Sequence, residues 1–276
     1  MKILHLTDLH GAGINKNILN LIPSADYILL GGDFGSNDLH YELVAKHGYG
    51  YSRKISKDTA EKLRLQYIET MRRDIDAIEE YGRNKMKLWI DGNHEERIDD
   101  ICKEFDLKNE NANDVIRDYK RTINLVPIGW ERIILGSYVL EGVPYTNNVG
   151  ENEGFSKILK LGNSNLPKIL LTHKIPAENV DHCNTNSKRI FRCGHITDYA
   201  MKEGVFIILS GHTHMSERRR IYDIPYINSG ALGSVSIIEI EGEMIISDLF
   251  IPTKESEDEY NHLKPLMVGT DWEKEI

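Results

Sequence analysis

The stretch Val205-Phe-Ile-Ile-Leu-Ser-Gly-His-Thr-His-Met215 sets an apolar run against a glycine and two histidines one residue apart. Such a run reads as a buried strand, and Gly211 marks its exit. In an extended chain, residues i and i+2 leave the same side about 6.6 Å apart, so His212 and His214 are expected to point into one site. Two imidazoles facing one hole suggest a metal. The alternative is a turn after a strand that carries two solvated histidines, and this stretch by itself leaves both readings open.

The same ending recurs along the chain. Lys2-Ile-Leu-His-Leu-Thr7 runs into Asp8-Leu-His10, Tyr27-Ile-Leu-Leu30 into Gly31-Gly-Asp33, Lys87-Leu-Trp-Ile90 into Asp91-Gly-Asn-His-Glu95, and Lys168-Ile-Leu-Leu-Thr172 into His173. A lone histidine at a strand end is more often structural than functional, but this many polar exits supplying Asp, His and Asn argue for convergence. Helices are predicted between the strands, over Asn15 to Ile22 with Pro23 just beyond, Asp58 to Tyr81, Arg97 to Phe105, Glu153 to Leu161 and Thr197 to Lys202. The longest carries Leu63, Tyr67, Met71, Ile75 and Ile78 on one stripe, which reads as core. Two hairpins are predicted, Arg132 to Leu135 with Tyr138 to Leu140, and Val235 to Ile240 with Met244 to Phe250. Strands alternating with helices suggest sheet layers covered by helices, with ligands collected beyond the carboxyl ends of the strands. Because the gathered residues run from Asp8 to His214, one catalytic domain over residues 1–252 is expected, followed by an acidic tail at 253–276.

Three segments carry no clear pattern. Phe34 to Lys57 reads as a loop, either a lid over the site or a surface insertion. The region from Phe105 through Asn113 reads as polar and solvent-facing. Arg218-Arg-Arg220 reads as a phosphate-facing patch or, more commonly for a charge run, a solvated face.

Composition bounds the function. With 40% hydrophobic and 28% charged residues over 276 positions, the chain is neither disordered nor a membrane bundle. No apolar run approaches the roughly 18 residues that span a bilayer, and the N-terminus does not look like a targeting signal, so a cytoplasmic protein is expected. A net charge of -9 argues against a broad nucleic-acid footprint. Cys102, Cys183 and Cys193 form no C-x-x-C pair, so sulfur is not the expected metal ligand.

Carboxylate, imidazole and amide oxygen without thiolate suit borderline or hard divalent ions: Mn, Fe, Zn, Ni or Co, with manganese favoured. Asp8, His10, Asp33, Asn93, His173, His212 and His214 are too many donors for one tetrahedral site, so two ions are expected. A pair roughly 3.5–4 Å apart needs a bridging group, for which the two oxygens of Asp33 are suited. Such a pair lowers the pKa of a shared water and clamps the oxygens of a phosphate ester.

The ordered pattern Asp8-x-His10, Gly32-Asp33, Gly92-Asn-His-Glu95, His173, Gly211-His-x-His214 resembles the calcineurin-like metallophosphoesterase superfamily. The resemblance spans most of the chain. It implies a two-layered mixed β-sandwich flanked by helices, an α/β fold in four layers, and a phosphoester hydrolase. It further implies a first metal held by Asp8, His10, Asp33 and His214 and a second by Asp33, Asn93, His173 and His212. His94 would contact a phosphate oxygen or protonate the leaving group. Many relatives orient that histidine with an aspartate three residues after the bridging one; Ser36 stands there, so the role falls to Asp38 or another group. The protein phosphatases of the superfamily carry arginines before Gly-Asn-His-Glu and after the bridging aspartate, whereas this chain has Asp91 and Phe34-Gly-Ser-Asn37.

The expected substrate is therefore a small phosphate ester, a phosphodiester or small nucleotide ahead of a phosphoprotein. A nuclease using Lys188, Arg189, Arg192 and Arg218 to Arg220 as a phosphate track is the alternative within chemistry. A non-catalytic scaffold is the alternative outside it, and would be expected to lack ligands that this chain keeps. No membrane partner is expected, and oligomeric state leaves no trace in the sequence.

Overall fold

A computed structural model describes residues 1–36, 38–48, 50–107, 111–146, 148–162, 164–176, 192–214, 216–230, 234–242 and 244–250. Its frame is a pair of six-stranded sheets. In the first, β1 (Lys2–Leu6), β2 (Tyr27–Leu30), β3 (Met86–Trp89) and β4 (Leu125–Pro127) lie parallel in that order. Beyond β1, β13 (Val235–Glu241) and β14 (Met244–Phe250) extend the sheet antiparallel. In the second, β12 (Ile224–Ser229), β10 (Val205–Ser210), β7 (Lys168–Thr172) and β6 (Tyr138–Val143) are parallel neighbours. The edges there are β11 (Ser216–Ile221) beside β12 and β5 (Arg132–Leu135) beside β6, both antiparallel. A short parallel pair, β8 (Ile175–Pro176) and β9 (Arg192–Cys193), follows the exit of β7.

Alternation along the strands builds three cores from these two sheets. Ile3, Leu29, Leu88, Leu140, Ile169, Leu171, Ile207 and Ile238 fill the space between the sheets. Leu4, Leu6, Ile28, Leu30 and Trp89 face the other way, onto α1 (Lys16–Leu19), α2 (Asp38–His47), α3 (Lys57–Gly82), α4 (Asn93–Glu104) and α5 (Ala112–Thr122). Leu170 and Ile208 face α6 (Asn148–Lys160) and α7 (Gly194–Glu203). The result is the four-layer α/β arrangement, helices over sheet over sheet over helices. Strands buried on both faces read as continuous apolar runs, which makes them legible in the sequence.

The helices depart from the sequence reading where their apolar face is short. Residues 34–57 are not one loop. They hold α2, whose buried His40, Tyr41, Leu43 and Val44 share a face, and a 3₁₀ turn at Tyr51–Lys54. Two of those four face residues are polar or amphipathic, and Gly48 and Gly50 follow directly, so the periodicity is hidden. Beyond the polar region through Asn113, where the sequence reading places no element, α5 buries Val115, Ile116 and Tyr119 and delivers β4. Asn111 and Asp114 cap that helix reciprocally. The first helix is shorter than expected, because the chain tightens into a 3₁₀ turn at Ile22–Ser24 that contains Pro23. α4 begins at Asn93 and not at Arg97, with consequences for the site. Arg218 to Arg220 lie on β11, where Arg218 donates to the Ser247 carbonyl, Arg219 pairs with Glu217 at 2.7 Å and Arg220 donates to the Asp223 carbonyl at 2.6 Å. The tail at 253–276 and most of the connection 174–194 lie outside the described residues. Among the described residues, no helix is long and apolar enough to cross a membrane.

Candidate metal centre

Each candidate ligand sits just past a strand and is held there by backbone turns that cross from one sheet to the other. Asp8 follows β1; its carboxylate accepts from the Thr7 hydroxyl at 2.6 Å and from the His212 backbone N–H at 3.0 and 2.9 Å. The first sheet thereby anchors the turn that leaves β10 in the second. Asn228, at the end of β12, donates to the Gly211 carbonyl at 2.8 Å and steadies that turn from its other side. His173, past β7, shares a hydrogen bond of 2.7 Å between Nδ1 and the Gly31 carbonyl, which leaves Nε2 facing the centre.

Asp33 is held most elaborately. Its Oδ1 accepts from the His94 backbone N–H at 2.8 Å, so one oxygen satisfies the first turn of α4. Its own N–H donates to Glu95 Oε2 at 2.8 Å. Glu95 also takes the N–H groups of Phe34 and Gly92 and the Tyr67 hydroxyl, at 3.1, 2.8 and 2.7 Å. The Gly-Asn-His-Glu motif shows Glu95 without assigning it a role, and Tyr67 lies on a stripe that reads as core. Nothing in a single stripe residue reveals that its hydroxyl ends on a carboxylate at the site.

The strain is concentrated here. Asp8, His10, Asp33, His212 and His214 all have positive φ, at 54°, 50°, 58°, 75° and 59°, a region that non-glycine residues seldom adopt and that clusters at functional sites. This corrects the first inference about His212 and His214. They are not on an extended strand sharing one side; they turn in left-handed backbone and diverge. His214 joins Asp8 and His10, while His212 joins Asp33 and His173.

Three groups of ligand-type atoms result, each within 4.8 Å of one another: Asp8, His10 and His214; His10, Asp33 and His94; Asp33, His173 and His212. In the first, Nε2 of His10 and Nε2 of His214 are 2.8 Å apart, with Asp8 Oδ1 3.5 Å from the latter. In the third, His173 Nε2 is 3.2 Å from Asp33 Oδ2 and 3.0 Å from Asn93 Oδ1, so Asn93 belongs with it. His94 Nε2 lies 3.8 Å from Asp33 Oδ2, and its ring is perpendicular to that of His10 at 5.2 Å. All the candidate residues named from the sequence are thus brought to one place, and Asp33 and His10 each connect two of the groups.

Electrostatics fit a cation here. Burial pushes His10 down to about 4 and His212 to about 3, and it holds His94 well below its ordinary value, so these imidazoles are neutral, the form that ligates metals. For His173 burial also pulls downward, but the carboxylates of Asp33 and Asp8 outweigh it and push it up to about 10. Asp33 and Asp8 are both buried, and burial, the largest single effect, disfavours their charge; the neighbouring histidines, His173 foremost, together outweigh it and lower both. Two buried anions beside mostly neutral rings are costly without further positive charge. Asp33 Oδ2 is buried with no hydrogen-bond partner, the orphan acceptor that a bridging cation would satisfy.

Gly92 tests how tightly this is built. It stands against Asp33, and a Cβ added there would fall inside contact distance of Oδ1. Because that oxygen is fixed by α4, it cannot retreat. Gly92→Ala is expected to weaken metal binding by at least about tenfold, measured by isothermal titration with manganese. An unchanged affinity would show that the Asp33 turn is pliable.

Among solved structures, TT1561 of Thermus thermophilus is similar at 11% identity with a TM-score of 0.51, over 90% of this chain and 97% of that one. The phosphopantetheinyl hydrolase of Mycobacterium tuberculosis aligns at 11% identity and TM-score 0.41, over 84% and 90%. GAP50, an anchor in the inner membrane complex of Plasmodium, aligns at 11% and 0.47, over 90% and 84%. At such identity the first speaks to fold alone. No curated protein matches the chain. The sequence profile of the calcineurin-like phosphoesterases does match, over residues 1–216, taking in all seven candidate ligands and His94, and the chain belongs to that family.

Proposed function

We propose that this protein is a metal-dependent hydrolase of small phosphate esters, with phosphodiesters or small nucleotides as its substrate class, and that residues 1–252 form its single catalytic domain. The observation that carries the reading is the meeting of Asp8, His10 and His214 in one group of ligand-type atoms and of Asp33, His173 and His212, with Asn93 beside His173, in another, His10 and Asp33 being joined through a third group that includes His94. In this reading Asp8, His10, Asp33 and His214 hold one divalent cation, and Asp33, Asn93, His173 and His212 hold a second, manganese being favoured over Fe, Zn, Ni or Co. When bound, such a pair acidifies a shared water and draws charge from the phosphoryl oxygens.

The chain's own residues do the rest. Glu95 and Tyr67 keep the Asp33 turn in place, so the ligands require little reorganisation on binding. His94 stands beside the centre with Nε2 available toward a phosphoryl or leaving-group oxygen. Hydrolysis forms one P–O bond from water and breaks another; the attacking water loses a proton and the departing oxygen gains one, and His94, neutral at rest, is the nearby group that would accept the first and pass it on. The preference for a diester rests on charge. Where a dianionic phosphoprotein would gain from arginines, this site has Asp91, bound to the Trp89 indole at 2.8 Å, and Phe34, packed 4.9 Å from that same indole. A monoanionic diester needs fewer fixed cations.

The nuclease reading gains no support from Arg218 to Arg220, whose engagements are intramolecular, and Lys188 and Arg189 lie outside the described residues. A scaffold reading is disfavoured by the complete ligand set. With manganese restored to metal-stripped protein, hydrolysis of bis-p-nitrophenyl phosphate is expected to exceed that of p-nitrophenyl phosphate. Turnover of the monoester alone would remove the diester preference, and turnover of neither with any of the five metals would remove the hydrolase.

A further inference from the structure

We propose that His40 and Tyr51 act as positioning residues that set the ring orientation of His94, taking the place of a carboxylate partner; this rests on the hydrolase reading above. The two positions that would supply such a carboxylate are otherwise engaged. Ser36 Oγ accepts from the Gln66 amide at 3.2 Å, and the Asp38 carboxylate accepts from that same amide at 3.4 Å. Neither turns to His94. Asp33 Oδ2, at 3.8 Å from His94 Nε2, is beyond hydrogen-bonding distance.

Rings surround His94 instead. His40 stands at 5.0 Å between centroids and 87° between planes, and His10 at 5.2 Å and 87°. These are edge-to-face contacts of the favourable kind. The second torsion of histidine has a broad, shallow profile, so two perpendicular rings at contact distance determine how the imidazole faces the centre.

His40 is itself held. Its Nδ1 shares a hydrogen bond of 2.8 Å with the Tyr51 hydroxyl, and both residues are buried. The Arg97 guanidinium lies 5.8 Å from the centre of the Tyr51 ring. Arg97 is three residues after His94 on α4, so the path from His94 to His40, Tyr51 and Arg97 returns to the helix on which it began. Burial, with Arg97 adding to it, pushes His40 down to about 3, so it supports His94 as a neutral ring. Within Phe34 to Lys57, which reads in the sequence as a lid or a surface insertion, His40 and Tyr51 thereby become part of the wall behind His94.

Tyr51→Phe removes one hydroxyl and keeps the shape; His40→Ala removes the ring. With bis-p-nitrophenyl phosphate and manganese, kcat is expected to fall about threefold to tenfold in the first and about tenfold to a hundredfold in the second, with KM and metal content unchanged. In metal-free protein, the His94 ring resonances, assigned by comparison with His94→Ala, are expected to shift and broaden in both variants. A kcat within about twofold of wild type in both, or His94 resonances unmoved, overturns the proposal. Should His40→Ala not fold, Tyr51→Phe alone decides. If His94→Ala is inactive while the other two are unaffected, only the positioning role falls; if His94→Ala is fully active, the hydrolase role of His94 falls and this one with it.

Discussion

Asp33→Asn is expected to empty the centre, lowering affinity for manganese by more than about a hundredfold and abolishing hydrolysis. The substitution is nearly isosteric, and an amide oxygen in place of Oδ1 still accepts from the His94 N–H, so α4 keeps its first turn. What changes is the orphaned Oδ2, which becomes an N–H donor aimed where positive charge is wanted, 3.2 Å from His173 Nε2. Because Asp33 joins His10 and His94 in one group and His173 and His212 in another, the change reaches both cation positions of the proposed reading. Metal analysis of the purified variant, alongside its thermal melting in the metal-free state, checks this. Metal-free melting should fall, since the Asp33 carboxylate is the nearest counter-charge of buried His173, 3.2 Å from its Nε2, and removing one partner of a buried pair is destabilising. Two ions per chain retained after dialysis would show that Asp33 does not bridge.

His94→Ala is expected to do the reverse, keeping both ions while kcat falls about a hundredfold to ten-thousandfold. The distinction matters because His94 lies close enough to His10 and Asp33 to be a ligand itself. Its geometry favours a role toward substrate: Asn93 and His173 already face Asp33 from the other group, whereas His94 Nε2 stands back at 3.8 Å. Loss of one ion in this variant would make His94 a ligand and leave the leaving group without an assigned proton carrier.

The candidate ligands are legible in the sequence because each lies immediately after an apolar strand, and a buried parallel strand announces itself as a continuous apolar run. The shell that holds them is not. Glu95 serves four donors drawn from positions 33, 34, 67 and 92, and no local pattern joins these. Tyr67 follows the helical period as faithfully as Leu63 or Met71, and its hydroxyl is told apart only by what lies opposite. α2 escapes a reading by periodicity because a face built from His, Tyr and two aliphatic residues falls below what periodicity detects, whereas α5 carries a regular stripe of Ala112, Val115, Ile116 and Tyr119 that the sequence reading passes over.

Sequence by itself determined the buried strands β1, β2, β3, β7 and β10, the kinds of donor atom at their five ends, and hence the chemistry those atoms can support, since hydrophobic period and ligand type are properties of residues taken in order. Only the tertiary structure decided which donor atoms lie within reach of one another. The left-handed turns at Asp8, His10, Asp33, His212 and His214 send neighbouring side chains to different partners, and such turns persist where hydrogen bonds from other strand ends over-determine them, as Glu95 does at Asp33 and Asp8 at His212.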